Sequence, residues 1–301
     1  MGYETLLNKT TQPTLMMKNK NFVAFILTHG RPDRVHTFRS LKKHGYTGRV
    51  VILIDNEDKQ RSEYEKQFPG MVKVFNKKAI SETFDEGDNF EDRRSIIYAR
   101  NACFEVAKDI GVKHFIQLDD DYTDFRYKTN AQDQYCDKIN LRKLDQVFDL
   151  MVDFLEVTGA CSVAMAQNGD FIGGKDGNKA LKLKPWRKAM NTFVCSTDRP
   201  FVFFGRINED VNTYTCGGRR GMLFFTIPNV AINQKQTQSS EGGMTELYLE
   251  SGTYVKSFYS VMYAPSCVKV SDMGPVFRRM HHRVNWKNAV PCILGQEHKK
   301  N

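Results

Sequence analysis

Three consecutive carboxylates, Asp119-Asp120-Asp121, follow directly on the run His114-Phe115-Ile116-Gln117-Leu118 and precede Tyr122. A short apolar run bounded by polar residues reads as a buried strand, which puts the acids at its carboxyl end. Side chains alternate across a strand, so Asp119 and Asp121 share a face. Two carboxylates at that spacing suit a hard divalent ion, Mg²⁺ or Mn²⁺, which takes oxygen ligands and leaves positions open for a diphosphate. Such an ion would offset charge growing on a departing nucleotide diphosphate. An isolated acidic run is more often a solvated turn. At the end of a buried strand, however, three like charges repel one another, and a bound cation is the plainest reason to keep them there.

Three further groups could do chemistry. In Arg206-Ile207-Asn208-Glu209-Asp210-Val211-Asn212 the pair Glu209 and Asp210 can hold an acceptor hydroxyl, one member taking its proton as general base. The same pair also suits an ordinary helix start, where the helix dipole favours acids. In Val276 to Lys287, His281 and His282 can complete a metal site with a neutral imidazole, and Arg278, Arg279 and Arg283 can grip phosphate oxygens. Phe277 and Trp286, interleaved with these cations, tilt the stretch toward nucleotide or nucleic acid, although a solvated basic segment is the plainer alternative. Finally, Arg93-Arg94 and Tyr98-Ala99-Arg100-Asn101 precede the acidic strand. Arg100 and Asn101 could reach a donor's phosphates and sugar, although helix arginines more often face solvent.

These residues need a scaffold, and the pattern around them supplies one. Phe22 to Leu27 and Val50 to Ile54 are continuous apolar runs, the mark of strands buried on both faces. Each is followed by a helical pattern, Asp33 to Lys43 and Glu57 to Phe68. A short strand at Val72 to Phe75 and a long helix over Arg93 to Ile110 come next, and the helix ends at Gly111 just before the acidic strand. Alternating strands and helices imply an α/β fold with a mostly parallel sheet. Ligands bind at the carboxyl edge of such sheets, which directs attention to Thr28 to Arg31, Asp55 and Asp119 to Asp121. Beyond lie an expected helix over Leu141 to Val157, a strand over Ala160 to Ala166 and a Gly- and Lys-rich loop over Asn168 to Lys184. Strands are expected at Thr192 to Ser196, Pro200 to Phe204, Met222 to Ile227 and Cys267 to Val270, and a helical pattern covers Gly243 to Tyr263. We expect a flexible arm over residues 1–20 and a single domain over 21–301. Its halves are 21–125, which carries the ligand-binding strand edge, and an irregular 126–301 on the expected acceptor side.

The chain has 301 residues with 41% hydrophobic content and mean hydropathy -0.50, values of a globular protein without a spanning helix. We expect no targeting signal, and the 7 Cys, which form no C-x-x-C pair, lead us to expect a reducing cytoplasm. A net charge of +9 favours encounter with polyanions, nucleic acid first among them.

The order of these motifs resembles GT-A glycosyltransferases over residues 22 to 282. Thr28-His29-Gly30-Arg31-Pro32, Tyr98-Ala99-Arg100-Asn101, Gln117-Leu118-Asp119-Asp120-Asp121-Tyr122, Asn208-Glu209-Asp210-Val211 and His281-His282-Arg283-Val284-Asn285-Trp286 look like the bacteriophage TET-associated branch, related to base J glucosyltransferases. The resemblance implies transfer of a hexose or pentose from a nucleotide diphosphate sugar, a UDP-sugar, to the hydroxymethyl group of 5-hydroxymethylcytosine or 5-hydroxymethyluracil in phage DNA, within the host cytoplasm and with no membrane partner. It puts the donor at Thr28, His29, Gly30, Arg31 and Asp55, with Arg94, Arg100, Asn101 and Asp120 grouped there. It puts the metal at Asp119, Asp121 and one of His281 or His282, and catalysis at Asp210 with Glu209. Lys175, Lys179, Lys182 and Lys184 would join Arg278, Arg279, Arg283 and Trp286 on DNA. Rival readings are a GT-A enzyme or nucleotidyltransferase with a non-DNA acceptor, an inert DNA-binding protein and, disfavoured for want of a lysine-bearing motif, a nuclease.

Overall fold

The computed structural model describes residues 19–88, 92–132, 134–171, 188–234, 252, 254–273, 279–291 and 296. The expected N-terminal arm and Lys175, Lys179, Lys182, Lys184 and Arg278 lie outside them, as does the side chain of Arg279.

The apolar runs become β1 (Phe22–Leu27), β2 (Arg49–Asp55), β3 (Val72–Phe75) and β4 (His114–Asp119). All four are parallel, in the order β3-β2-β1-β4. The sheet continues through β8 (Phe193–Ser196), β7 (Ser162–Gln167), β9 (Phe224–Gln234), β5 (Tyr122–Thr129) and β6 (Tyr135–Asn140), giving nine strands among the described residues. β8 runs against β4 and β7, and β5 runs against β9 and β6, while β7 and β9 are parallel. Seven strands therefore share the direction of β4, and only β5 and β8 oppose it. The mostly parallel sheet flanked by helices is the architecture expected from the sequence.

Period-two alternation sorts the core into two layers. Phe22, Ala24, Ile26, Ile52, Ile54, Ile116 and Leu118 face one side, packing with α1 (His36–Lys43), α2 (Arg61–Gln67) and α5 (Leu144–Thr158). Val23, Phe25, Leu27, Val51, Leu53 and Phe115 face the other, packing with α4 (Ile97–Asp109) and α6 (Glu209–Arg219). Each fully buried side chain contributes about 1.5–3 kcal/mol. A short α3 (Lys77–Ser81) follows β3. A separate two-stranded sheet, β10 (Val268–Met273) with β11 (Arg279–Val284), packs on α7 (Val255–Tyr263) and is followed by α8 (Trp286–Ala289). No described helix is long and apolar enough to cross a membrane.

Several expected elements shift. The first helical stretch splits into a 3-10 turn, Pro32–Arg34, and α1. The helix expected from Arg93 begins at Ile97, because Arg93 and Arg94 spend their guanidinium groups on Glu57 and Asp92 ahead of it. The expected strand at Pro200 to Phe204 does not form. Phe201 and Phe203 are buried by ring packing, 5.0 Å apart, and the Phe203 N–H donates to the Asn101 side chain, so the apolar run reports core and not sheet. Of the helical pattern over 243–263, residues 243–251 and 253 lie outside the described ones, and the helix covers Val255–Tyr263.

Candidate functional site

The three aspartates sit at the carboxyl end of β4, and strand alternation sends them to different partners. Asp120 is buried and turns toward the β1 loop, accepting hydrogen bonds from Thr28 Oγ1 at 2.6 Å and Arg31 Nε at 2.7 Å. Tyr64 completes this corner, its hydroxyl bonded to Thr28 Oγ1 and accepting from the Arg31 N–H, both at 2.9 Å. Thr37 holds the backbone. Its N–H donates to the Asp120 carbonyl at 3.1 Å, its hydroxyl donates to the Asp119 carbonyl at 2.5 Å, and that hydroxyl accepts from the Tyr122 N–H at 2.9 Å. Asp120 is thus a brace between the strand end and the Thr28–Arg31 loop. Asp120→Ala is expected to lower stability by about 2 kcal/mol, the scale of hydrogen bonds to a charged group. An unchanged urea midpoint would show that the carboxylate does not brace the loop.

Asp119 turns the other way, toward α4. Its Oδ1 accepts from Arg100 Nη2 at 2.9 Å, and Arg100 Nε donates to Glu209 Oε1 at 3.0 Å. Arg100 is 1% exposed, with its guanidinium 5.0 Å from the Phe193 ring centre. Burial opposes its charge, and the two carboxylates more than offset this. One buried cation therefore joins the first residue of α6, Glu209, to the acidic strand end, Asp119, across ninety residues of chain. The expectation that Arg100 reaches a donor's phosphates is corrected, since two of its nitrogens are bonded to carboxylates and the whole side chain is inside. Asn101 is corrected likewise. Both ends of its amide bind the Phe203 backbone, at 2.9 and 2.8 Å. Arg94 lies against Asp92, through Nε and Nη2, both at 2.9 Å.

Asp121 Oδ1 is buried and has no hydrogen-bond partner. Burial, then Asp119 and Asp120, push its carboxyl up to about 7. Burial also raises Asp119 to about 6, with Arg100 opposing the rise and Glu209 and Asp120 adding to it. An orphaned carboxylate oxygen beside a second carboxylate is a donor set that fits a hard divalent ion. No group of three His, Cys, Asp or Glu able to hold a metal is found among the described residues. His281 and His282 were expected to offer one further ligand to Asp119 and Asp121. They sit on β11, rings 4.3 Å apart, and His282 Nδ1 lies 3.4 Å from Asn208 Nδ2. Burial, then His281, Lys188 and Lys256, push His282 down to about 4, which keeps it neutral.

Asn208 caps α6 in the left-handed region, φ 61°, a conformation an Asn tolerates better than most side chains. Its Nδ2 donates to Ser260 Oγ on α7 at 2.6 Å. The helix start that follows carries Glu209 and Asp210, both buried. Burial and Glu209 raise Asp210 to about 7, opposed by the Val211 N–H, Arg100 and Lys256. A carboxyl poised there can hold or release a proton near neutrality.

The Thr28–Arg31 loop meets the end of β2 as expected. His29 Nδ1 and Asp55 Oδ2 are 2.7 Å apart, and the Gly30 N–H donates to Asp58 Oδ2 at 2.8 Å where the chain turns at φ 69°. Burial pushes Asp55 up, but His29, Lys77 and the Glu57 N–H outweigh it and hold it below the usual carboxylate range. Of the residues expected on nucleic acid, Arg283 is exposed and cross-strand from Lys269. Trp286 is stacked on Tyr214, 5.7 Å between ring centres at 16°, so one face is already used. Tyr64, Thr37, Asp58 and Lys77 were not foreseen, because each acts on a partner that only the folded sheet brings near.

The sequence model of a family described as TET-Associated Glycosyltransferase matches residues 22–243. No curated protein matches the chain. Among solved structures, glucosyl-3-phosphoglycerate synthase from Mycobacterium tuberculosis, in complex with Mn²⁺, UDP and phosphoglyceric acid, is similar at 8% identity and TM-score 0.41, over 87% of this chain and 86% of that one. Mannosyl-3-phosphoglycerate synthase from Rubrobacter xylanophilus is similar at 10% identity and TM-score 0.42, over 87% of this chain and 86% of that one.

Proposed function

Since the chain belongs to the TET-associated glycosyltransferase family, we propose that it moves a sugar from a nucleotide diphosphate sugar, a UDP-sugar, to the hydroxymethyl group of 5-hydroxymethylcytosine or 5-hydroxymethyluracil in DNA. The observation that carries this reading is the Arg100 bridge, which ties the Asp119 carboxylate to Glu209 and so sets a cation-ready acidic edge beside the proton-holding Asp210.

Asp119 and Asp121 would hold Mn²⁺ or Mg²⁺, whose positive charge stabilises a diphosphate leaving group. Arg31, partly exposed beside the acids and fixed by Asp120, supplies a cation toward the same phosphates. Thr28, His29, Gly30 and Asp55 line the donor side. Asp210 takes the proton of the acceptor hydroxymethyl group as its oxygen attacks the anomeric carbon, with inversion there. Glu209, bonded by Arg100, fixes the start of the helix that carries Asp210. The neutral His282 on β11 borders this acceptor side through Asn208.

Incubating hydroxymethylcytosine- or hydroxymethyluracil-containing DNA with the protein, Mn²⁺ and a panel of nucleotide diphosphate sugars is expected to add a sugar-sized mass to the nucleoside, and Asp121→Ala to abolish the gain. No gain with any donor on either DNA would remove DNA as the acceptor. DNA affinity is also expected to fall steeply as salt rises, through release of counterions from phosphates held by Arg283 and its neighbours. A filter-binding series at increasing NaCl measures the slope, and a flat line would exclude phosphate contacts.

A further inference from the structure

Beyond the aspartates, the carboxyl edge of the sheet is carried on by carboxamides. The β4–β8 register stops at Gln117 opposite Phe193, so two residues further on Asp119 and Asn191 come to the same point of the edge. Tyr122, next after Asp121, donates its hydroxyl to the Asn191 carbonyl at 2.6 Å. β9 ends at Gln234 opposite Tyr122, and Asn191 Nδ2 donates to Gln234 Oε1 at 2.7 Å. β7 ends at Gln167, whose register partner is Ile232, so Gln167 and Gln234 extend to the same face of the sheet. Thr192 Oγ1 accepts from the Met165 N–H at 2.7 Å, which draws the chain beside Asn191 against the end of β7.

The fold does not use up these amides. The Asn191–Gln234 bond takes one amide N–H and one amide oxygen, which leaves the Asn191 oxygen and the Gln234 amino group as an acceptor and a donor side by side. Gln167 Nε2 is buried with no hydrogen-bond partner. Asn191 stands at φ 61°, and among the described residues the one other non-glycine at positive φ is Asn208, next to Glu209 and Asp210. Strain of this kind is kept where it aims a side chain. Asp170 is taken up by the Gln167 N–H and by Lys188, 3.7 Å away, so the group offers neutral donors and acceptors. The strand order sets Asp55, Thr28, Asp119, Asn191, Gln167 and Gln234 along the edge in that sequence. With the nucleotide at Asp55 and Thr28 and the diphosphate at the acids, the next group along a donor is its sugar, a neutral ring whose hydroxyls both donate and accept. Resting on that reading of the donor, we infer that Asn191, Gln167 and Gln234 hold the hydroxyls of the transferred sugar and set which sugar is used.

Calorimetric titration of the full chain in Mn²⁺ with UDP, UDP-glucose, UDP-galactose, UDP-xylose and UDP-N-acetylglucosamine tests the assignment. Asn191→Gly keeps the left-handed turn and the carbonyl that Tyr122 holds, and Gln234→Met keeps an unbranched side chain of similar length. Each variant is expected to bind UDP as the parent does and to bind the parent's preferred sugar donor at least about tenfold more weakly, so that the spread among the sugar donors narrows. Equal loss for UDP and for every sugar donor would make the amides a strut of the edge. Unchanged sugar-donor affinities in both variants would remove them from the site. Donor binding kept while affinity for hydroxymethylcytosine-containing DNA falls would move them to the acceptor. A parent protein that binds neither UDP nor any of the sugar donors sinks the donor reading itself, and this inference with it.

Discussion

Arg100→Met lowers the unfolding midpoint by about 10 °C. The guanidinium is buried between Asp119 and Glu209, and removing one partner of a buried ionic group leaves uncompensated charge worth about 3–5 kcal/mol. For a chain of this size each kcal/mol moves the midpoint by roughly 2–4 °C. Calorimetry or circular dichroism reads the shift. The loss should shrink in Arg100→Met/Glu209→Gln, where one of the two stranded charges is also removed, because contacting residues are not additive. Equal loss in the single and double variants would mean that Glu209 is not paired with Arg100 in solution.

Asp210→Asn loses sugar transfer by about 10²–10⁴-fold, the usual contribution of a positioned general base. In the parent protein Asp210 must be ionised to accept a proton. With its carboxyl raised to about 7 by burial and Glu209, kcat/KM is expected to fall as pH drops below that value and to level off above it. The same shift opposes folding. A carboxyl whose folded value stands above its unfolded one, near 3.8, binds more protons when folded, so its contribution worsens as pH rises from about 4 to about 7. At pH 8 Asp210→Asn is therefore expected to be at least as stable as the parent while inactive. An inactive variant with a sharply lowered midpoint would point instead to a structural role for Asp210, and an active one would remove it from the chemistry.

What the sequence disclosed follows from which residues are solved locally. β1, β2 and β4 read clearly because a strand buried on both faces is a continuous apolar run, and the carboxyl-edge rule then located Asp119 to Asp121, Asp55 and Thr28. Alternation separated Asp120 from its neighbours before any partner was known. The strands β5 and β6 did not read, since Tyr122 to Thr129 mixes acids and bases with aromatics and finds its ladder on β9, a hundred residues away. β11, Arg-Met-His-His-Arg-Val, is too polar to signal a strand and, among the described residues, pairs with β10 alone. In α4 nine of thirteen residues are buried, so periodicity could not say that Arg100 faces inward. Its partners are acids that only the tertiary fold delivers.

The step from β4 to β5 takes only Asp120 and Asp121, yet β8, β7 and β9 stand between those strands in hydrogen-bond order. The aspartate turn is thus a strut shared by both halves of the sheet, fastened by Thr37, Thr28 and Arg31. Its amides should exchange with deuterium only on global unfolding, with the protection of core strands and not of a surface loop. Substrate entry then cannot depend on opening at the acids. If the proposed acceptor enters instead by the far wall, where α7 and the β10–β11 pair meet Asn208, amides there should exchange faster than those of the aspartate turn.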